Sequence, residues 1–265
     1  MYLQSGSRYN TNMSLLKTFI RGIIPSYIID LHRQKKTAEQ ERGARISFYK
    51  ELLGEKKLVF DVGANVGNRV DAFLALNDKV IAVEPQPTCV QIITKRFGVN
   101  KGLTVLNRAV GSTRGKLTLH SSSDIDTLAS VSDSFVHYAE KSDRFKGKKY
   151  EKTYDVEVTT LDNLISLYGT PDFIKIDVEG YELEVLKGLS KAPGAVSFEF
   201  TPDRQEGVTE CLSILNALGL TQFNISYGES MKLARSKWLS FSEIKAVVDA
   251  LAGDTYIFAD IYAKK

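Results

Sequence analysis

Cysteine is scarce in this sequence of 265 residues, which contains only Cys89 and Cys211. Both fall in stretches with a helical pattern, and neither has the spacing of a metal-ligand pair. The sequence therefore argues against a disulfide framework and against a cysteine zinc site. Free thiols are typical of a reducing compartment, so we expect a cytoplasmic protein.

Long apolar runs and a large charge imbalance are also missing. The most apolar N-terminal stretch, residues 15–31, is interrupted by Lys17, Arg21 and Pro25, so it is a poor membrane span and a poor signal peptide. The formal net charge is only +3, which gives no reason to expect a nucleic-acid partner. A hydrophobic content of 43% can instead fill the core of one α/β domain.

The N-terminal part of the chain is predicted to be a polar, disordered tail at residues 1–12 and a helical extension at residues 13–54. The first helix of the extension, residues 15–31, is basic and amphipathic and breaks near Pro25, and a second helix covers residues 39–53. The apolar stripe could contact a membrane surface weakly, or it could pack as a cap or a homo-oligomer surface. We favour packing on protein, because most apolar stripes face protein.

Residues 55–265 are predicted to form one catalytic domain in which short apolar strands alternate with helical stripes. Strict alternation of strand and helix is typical of a parallel sheet covered on both faces. The pattern therefore predicts a Rossmann-like α/β fold with a mostly parallel, seven-stranded sheet. The predicted strands of this sheet are residues 58–61, 80–83, 103–106, 173–177, 195–200, 221–225 and 256–263.

The alternation loosens in the middle of the chain. Residues 116–120 are predicted to be an extra strand, residues 121–134 a hydroxyl-rich loop, and residues 156–159 an edge strand. The basic stretch at residues 141–152 could attract an anionic substrate. We favour a solvated loop, because most isolated charge runs face water.

A glycine-rich turn follows the first strand of the domain, where residues 61–67 read Asp-Val-Gly-Ala-Asn-Val-Gly. Its glycines permit close approach of a ligand, and Glu84 ends the next strand, where a carboxylate can bind ribose hydroxyls. Dinucleotide-binding turns read G-x-G-x-x-G instead, and the Asp61 carboxylate would repel a pyrophosphate. S-adenosylmethionine carries a sulfonium and an ammonium group and no phosphate, so it suits this turn better than NAD.

A second motif, Lys-Ile-Asp-Val-Glu-Gly at residues 175–180, places Asp177 at the carboxyl end of a buried strand. Ligands bind at that edge of open α/β sheets. Asp177 and Glu179 could orient a substrate hydroxyl, take its proton, or bind a divalent metal such as Mg²⁺. Alternatively, Glu179 caps the following helix and Lys175 neutralises a neighbouring charge.

Two further residues are candidates for the chemistry. His120 ends the extra strand just before the hydroxyl-rich loop, so it could act as a general base, although a lone histidine there is more often structural. Glu199 ends the strand that follows the second motif and is expected at the same ligand-binding edge. The candidate catalytic set is therefore Asp177, Glu179, His120 and Glu199, with no metal ligand assigned.

These motifs, together with Glu84-Pro85, residues 107–111 and residues 160–162, resemble the FkbM-type methyltransferases. The resemblance covers roughly residues 58–200 and implies a class I methyltransferase fold that methylates hydroxyl oxygens on sugars or polyketides. It also implies which residues border each part of the cofactor. The methionine end is bordered by Asp61, Gly63, Asn65 and Gly67. The ribose is bordered by Glu84, and the adenine by Arg108 and Ala109.

The sequence as a whole predicts an S-adenosylmethionine-dependent O-methyltransferase. Its acceptor is expected to be a small molecule or glycan, such as a sugar or a related natural product. The alternatives are a Rossmann-type NAD-dependent oxidoreductase and a module that binds the cofactor without catalysis. Loops and the N-terminal segment select the acceptor, so the motifs leave its identity open.

Overall fold

The structure is a computed structural model that describes residues 26–54, 56–121, 129–141, 150, 152–202, 207–254 and 257–265. Contacts within the chain divide it into two compact units, residues 1–44 and 45–265. The predicted tail and the start of the predicted extension lie outside the described residues, so the predicted domain limits stay predictions. Among the described helices, none combines the length and apolar character that a membrane span requires.

Eight helices occur in the described residues. They are α1 (Ser26–Leu53), α2 (Asn68–Leu76), α3 (Pro87–Phe97), α4 (Asp133–Lys141), α5 (Leu161–Tyr168), α6 (Glu182–Lys187), α7 (Val208–Ala217) and α8 (Phe241–Ala250). Residues 39–53 are helical and the helix ends at Leu53 as predicted, but they are not a separate helix, because α1 runs without a break from Ser26. No proline lies within α1, and the Arg, Gln and Lys residues of positions 33–36 are good helix formers.

Eleven strands occur in the described residues. They are β1 (Lys56–Val62), β2 (Asn77–Val83), β3 (Leu103–Leu106), β4 (Ala109–Val110), β5 (Gly115–Ser121), β6 (Ala129–Ser130), β7 (Lys152–Thr159), β8 (Phe173–Ile176), β9 (Ala195–Phe200), β10 (Gln222–Tyr227) and β11 (Ala259–Lys264). Seven of them form one sheet in the order β10-β11-β9-β8-β1-β2-β3. Only β11 runs antiparallel to its neighbours, so the predicted seven-stranded, mostly parallel sheet is confirmed.

Apolar side chains project from both faces of this sheet. On one face, Phe60 of β1 belongs to a large cluster that includes Leu164 of α5 and Leu212 of α7. On the other face, Val59 packs in a cluster with Phe73 of α2. Because successive strand residues point to opposite faces, this alternation confirms the prediction of helices on both sides of the sheet.

The middle of the chain forms a second sheet of four strands, in the order β4-β7-β5-β6. The predicted extra strand and edge strand pair with each other as β5 and β7, antiparallel over seven residue pairs. The prediction of β7 as an edge strand is therefore wrong, since β7 lies between β4 and β5. Its apolar residues, including Val156 and Val158, pack against Leu119 of β5 in a cluster of their own.

The strand order places the ligand-binding edge. The chain enters the large sheet at β1, runs outward through β2 to β3, and then returns to β8 on the other side of β1. The strand order thus reverses between β1 and β8. In open α/β sheets the crevice at such a reversal, at the carboxyl ends of the strands, is where ligands bind.

The aromatic cluster beneath α1 generates a stability prediction. Phe73 is fully buried, and its ring centroid lies 4.7 Å from that of Tyr49 and 5.9 Å from that of Phe173. We expect Phe73→Ala to lower the free energy of unfolding by about 3–5 kcal/mol, because it leaves a cavity between α2 and the sheet. Leu167→Ala, at a side chain that is 65% exposed, is the control and should cost below about 0.5 kcal/mol in the same denaturant titration.

Candidate active site

The glycine-rich turn leaves β1 and folds back over the end of β2. The backbone N–H groups of Gly63 and Ala64 both donate to the carbonyl oxygen of Val83, at 2.9 and 3.2 Å. Gly63 and Gly67 have φ values of +80° and +84°, and Asn65 between them has a φ of +50°. Glycine adopts such values without strain and asparagine tolerates them, which is why this sequence forms so tight a turn.

Gly63 lies against the backbone of Asp177. The backbone N–H of Asp177 donates to the carbonyl oxygen of Val62 at 2.9 Å. A Cβ atom at position 63 would lie only 1.7 Å from the carbonyl oxygen of Asp177. The turn after β1 and the turn after β8 can therefore meet only with glycine at this position.

Glu84 connects the ends of β1 and β2. Its Oε2 accepts a hydrogen bond from the N–H of Asn65 at 2.7 Å, and its Oε1 accepts one from the N–H of Gln86 at 2.8 Å. Burial raises the pKa of Glu84 to about 7, against the effect of these two hydrogen bonds. Each carboxylate oxygen keeps acceptor capacity for a ligand hydroxyl, while the side chain fixes the turn.

Asp61 is buried beneath the turn, with 1% of its surface exposed. Within the described part of the chain its Oδ2 accepts no hydrogen bond. Burial raises the pKa of Asp61 to about 7, although Lys175 and Arg69 act in the opposite direction. A buried carboxylate oxygen without a partner is costly, and a cationic ligand group would relieve that cost.

A cavity that is partly open to solvent lies beside these residues, with about 720 Å³ of empty space. It extends from the two turns of the large sheet to β4 and β6 of the small sheet. The predicted site residues that line it are Gly63, Asn65, Glu84, Arg108, Ala109, Asp177 and Glu179.

Four other predicted residues lie outside this lining. Asp61 is beneath the turn, and Gly67 faces away, since a Cβ there would lie 2.9 Å from the ring of Phe97. Glu199 lines a second cavity, and His120 is half-buried in β5 and lines neither of the two. Its role as a general base stays a prediction that this placement does not favour.

The turn after β8 holds Glu179 in a left-handed conformation, with a φ of +52°. Ser130 of β6 donates from Oγ to the carbonyl oxygen of Glu179 at 2.8 Å and secures the turn. The Oε1 atom of Glu182 accepts hydrogen bonds from the N–H groups of Val178 and Gly180. Glu182 therefore closes the turn before α6, and the capping role considered for Glu179 stays a prediction. Strain at a non-glycine residue such as Glu179 is typical of functional sites.

Three carboxyl groups meet at this edge. Asp177, Glu179 and Glu199 each offer an oxygen within 4.8 Å of the others, a spacing at which they could share a cation. Oxygens of Asp177 and Glu199 lie within 4.8 Å of each other, and two carboxyl groups this close favour a proton on one of them. That proton reduces the repulsion that a cation would otherwise relieve, and we assign no metal ligand.

The proton lies on Glu199. Burial and the nearby charges of Asp177 and Glu179 raise the pKa of Glu199 well above its ordinary value. Burial also disfavours ionisation of Asp177, but the Lys175 ammonium outweighs it and holds the pKa of Asp177 below its usual range. The pair therefore combines an ionised carboxylate with a neutral carboxylic acid.

A second cavity, of about 530 Å³, begins where the first ends. Glu179 lines both cavities, and Glu199 lines the second. The carboxyl group of Asp177 lies at the boundary, since Asp177 lines the first cavity and one of its oxygens is within 4.8 Å of an oxygen of Glu199. A ligand in one cavity would thus be adjacent to a ligand in the other.

Some lining residues were not singled out from the sequence. Tyr181 lines the first cavity, and Phe135 lines the second. Tyr181 directly follows the second motif, so its position was a usable signal. Phe135 gave none, because it reaches the site only through α4. Ser130, which belongs to the predicted hydroxyl-rich loop, also lines the first cavity.

The fold and the site together define a class. A seven-stranded sheet with one antiparallel strand, a glycine-rich turn after β1 and an acidic residue after β2 are the architecture of class I methyltransferases. Residues 61–228 match the family model described as the methyltransferase FkbM domain. The chain belongs to this family, which confirms the resemblance found in the sequence.

Individual relatives are distant. Methyltransferase sdnD of Sordaria araneosa is 27% identical over 165 residues, covering 52% of this chain and 62% of sdnD. Hexuronic acid methyltransferase AglP of Haloferax volcanii is 25% identical over 147 residues, covering 54% of each chain. The match thus spans little more than half the length of these relatives. A crystal structure of an FkbM methyltransferase from Methylobacillus flagellatus has 16% identity and a TM-score of 0.46, covering 79% of this chain and 43% of that one.

The family implies S-adenosylmethionine as methyl donor, and the residues present fit it. The unpartnered, buried Oδ2 of Asp61 suits a ligand with a cationic end. Gly63 leaves room where a side chain could not fit. Glu84 offers two carboxylate oxygens at the cavity wall for hydroxyl groups.

Glu84 is therefore expected to contribute to cofactor binding. Glu84→Ala removes acceptors for the ribose hydroxyls and loosens the turn, so it should weaken S-adenosylmethionine binding by about 1.5–3 kcal/mol. Titration calorimetry measures this change, with Asp249→Ala on the exposed face of α8 as a control. Unchanged affinity in Glu84→Ala would remove this residue from the site.

The raised pKa values near 7 of Asp61 and Glu84 predict a pH effect on binding. A cationic ligand favours the ionised carboxylates, so protonation below pH 7 competes with it. Affinity for S-adenosylhomocysteine, which keeps the ammonium group, should fall by up to about tenfold per pH unit as the pH drops from 7.5 to 5.5. Calorimetry across this range should show a flatter dependence for Asp61→Asn, and an equally steep one would contradict the assignment.

Proposed function

We propose that this protein transfers a methyl group from S-adenosylmethionine to a hydroxyl oxygen of a small-molecule or glycan acceptor. One observation carries the proposal, namely the adjacent pair of carboxyl groups of Asp177 and Glu199 at the boundary between two adjoining cavities. The first cavity suits the cofactor and the second suits the acceptor. The pair would then stand where the two ligands react.

Asp177 is the proposed general base. Its carboxylate is ionised at neutral pH while Glu199 holds the proton of the pair. An acceptor hydroxyl within hydrogen-bond distance of Asp177 could pass its proton to this carboxylate as the oxygen attacks. Glu179, which faces both cavities, would orient the hydroxyl by accepting a hydrogen bond.

The cofactor, when bound, supplies a methyl group activated by the sulfonium. The chain's contribution is to hold two ligands in line and to exclude water. Asp61 would orient the cationic end of the cofactor, and the rigid contact of Gly63 with Asp177 sets the distance between the cofactor turn and the base.

The second cavity supports a sugar-like acceptor. The carboxyl groups of Glu179 and Glu199 line it. Carboxylates accept hydrogen bonds from the hydroxyls of a sugar. The relative named as a hexuronic acid methyltransferase is consistent with a sugar-derived acceptor.

The function is tested by incubating the protein with methyl-tritiated S-adenosylmethionine and a panel of monosaccharides and polyols. Mass spectrometry should show products heavier by one CH₂ group. Mild base distinguishes the linkage, because methyl esters hydrolyse there and methyl ethers do not. Label that mild base releases would mean a carboxyl acceptor, and cofactor binding without any product from the panel or from a cell extract would favour a non-catalytic module.

Asp177→Asn keeps the shape of the side chain and removes its charge. We expect single-turnover methyl transfer to fall at least about tenfold, because a general base supplies a rate factor of roughly 10²–10⁴. Cofactor affinity, measured in parallel, should change little. Asp249→Asn at an exposed ion pair with Lys245 is the matched control.

Wild-type turnover in Asp177→Asn would show that the base is elsewhere. Loss of wild-type activity in a chelator, with recovery on adding Mg²⁺, would replace the general-base assignment with a metal site. Both experiments measure methyl transfer to the same hydroxyl acceptor.

A further inference from the structure

Lys175 is a charged residue in the centre of the large sheet. It lies in β8, a central strand whose other residues are Phe173, Ile174 and Ile176, and it has no exposed surface. Burying an ammonium group costs several kcal/mol unless strong partners surround it. The proposed reaction uses Asp177 and does not by itself account for a lysine beneath it.

The partners of Lys175 are carboxylates from two strands. Its Nζ donates to Oδ1 of Asp260 at 2.8 Å, to Oδ2 of Asp177 at 3.3 Å and to the carbonyl oxygen of Ile176 at 3.3 Å. Three acceptors match the three N–H groups of an ammonium. The Lys175 ammonium group is therefore shared between Asp260 and Asp177, of which only Asp177 belongs to the site.

The strand register explains this arrangement. Asp260 of β11 lies opposite Glu199 of β9, and Lys175 of β8 lies opposite Ser197, two residues before Glu199. Side chains two residues apart share one face of a strand. Asp177, Glu199 and Asp260 thus form a row on one face, with Lys175 beneath them.

Other charged groups also act on Asp177. The guanidinium of Arg69 favours its ionisation, but that group already binds both oxygens of Glu229 at 2.9 and 3.0 Å. Lys175, in contrast, contacts the Asp177 carboxylate directly. The acidic groups that act on Asp177 or share its surroundings come from every neighbouring element: Asp61 of β1, Glu84 of β2, Glu179 of the turn, Glu182 of α6, Glu199 of β9 and Asp260 of β11.

We infer that Lys175 is a positioning residue: held by Asp260, its ammonium group keeps the proton of the Asp177–Glu199 pair on Glu199 and leaves Asp177 as the ionised base. Without this cation, two adjacent carboxyl groups would compete for one proton. Asp260 fixes the position of the lysine ammonium group, so the pairing of strands in the sheet determines which carboxyl group holds the proton. This inference deepens the proposed function and rests on it for its catalytic meaning.

The direct test is a titration of the side-chain carboxyl carbons of Asp177 and Glu199 by NMR, on the full chain without acceptor. Lys175→Met keeps the length of the side chain and removes its charge. The titration midpoint of Asp177 should rise by about 1–3 pH units, the usual effect of losing an adjacent opposite charge. Lys187→Met removes an exposed ammonium that pairs with Glu184, and this control should leave the midpoint unmoved.

Asp260→Asn provides a second variant that retains the lysine, in case Lys175→Met does not fold. It removes the competing carboxylate, so the ammonium acts on Asp177 alone and the midpoint of Asp177 should fall. Opposite shifts in the two variants support the inference. A midpoint that stays in place in the folded variants, whatever their loss of stability, would show a purely structural lysine and overturn it.

Methyl transfer gives a separate readout. In Lys175→Met the acid limb of the pH profile of kcat should move to higher pH, because Asp177 must lose its proton to act as base, while KM for S-adenosylmethionine stays unchanged. If no hydroxyl acceptor is ever methylated, the proposed function fails, yet the titration still decides where the proton lies. The two failures are thereby distinguishable.

Discussion

The turn at Gly63 touches the backbone of Asp177, and the rest of the site depends on this contact. A Cβ at position 63 would overlap the Asp177 carbonyl oxygen at 1.7 Å, so only glycine lets the two turns approach. Their approach joins a cofactor-binding edge to a carboxyl-rich edge. Packed sheets resist deformation, so the distance between these edges is set by the strand pairing of β1 and β8 and not by flexible loops.

Charge placement follows from the same sheet. Asp61 and Lys175 lie opposite each other in the register of β1 and β8, and Asp260 reaches Lys175 from β11. In a medium of low polarity such groups act strongly on each other. The sheet therefore has two roles. Its apolar side chains form the core, and a few buried charges near the carboxyl ends of its strands determine which carboxyl groups are ionised.

Much of the fold was predictable, since the alternation of apolar strands and helical stripes reports directly on burial. Where the local sequence pattern was ambiguous, the prediction of secondary structure failed. The helix predicted to begin at residue 39 begins at Ser26, because nothing in the polar residues between them stops it. The predicted extra strand and edge strand gave no sign that they pair with each other in a separate sheet, because a strand's own residues do not say which partner it pairs with.

The sequence by itself determined the chemistry of the two turns: Gly63, Glu84 and Asp177 stand in motifs whose local backbone demands and strand-end positions are readable from neighbours in the chain. Tertiary structure alone decided that Glu199 lies beside Asp177, that Lys175 is held by Asp260 85 residues away, and that His120 lies outside both cavities. Protonation depends on the distance between groups and on burial, and both arise only when distant strands are brought into register.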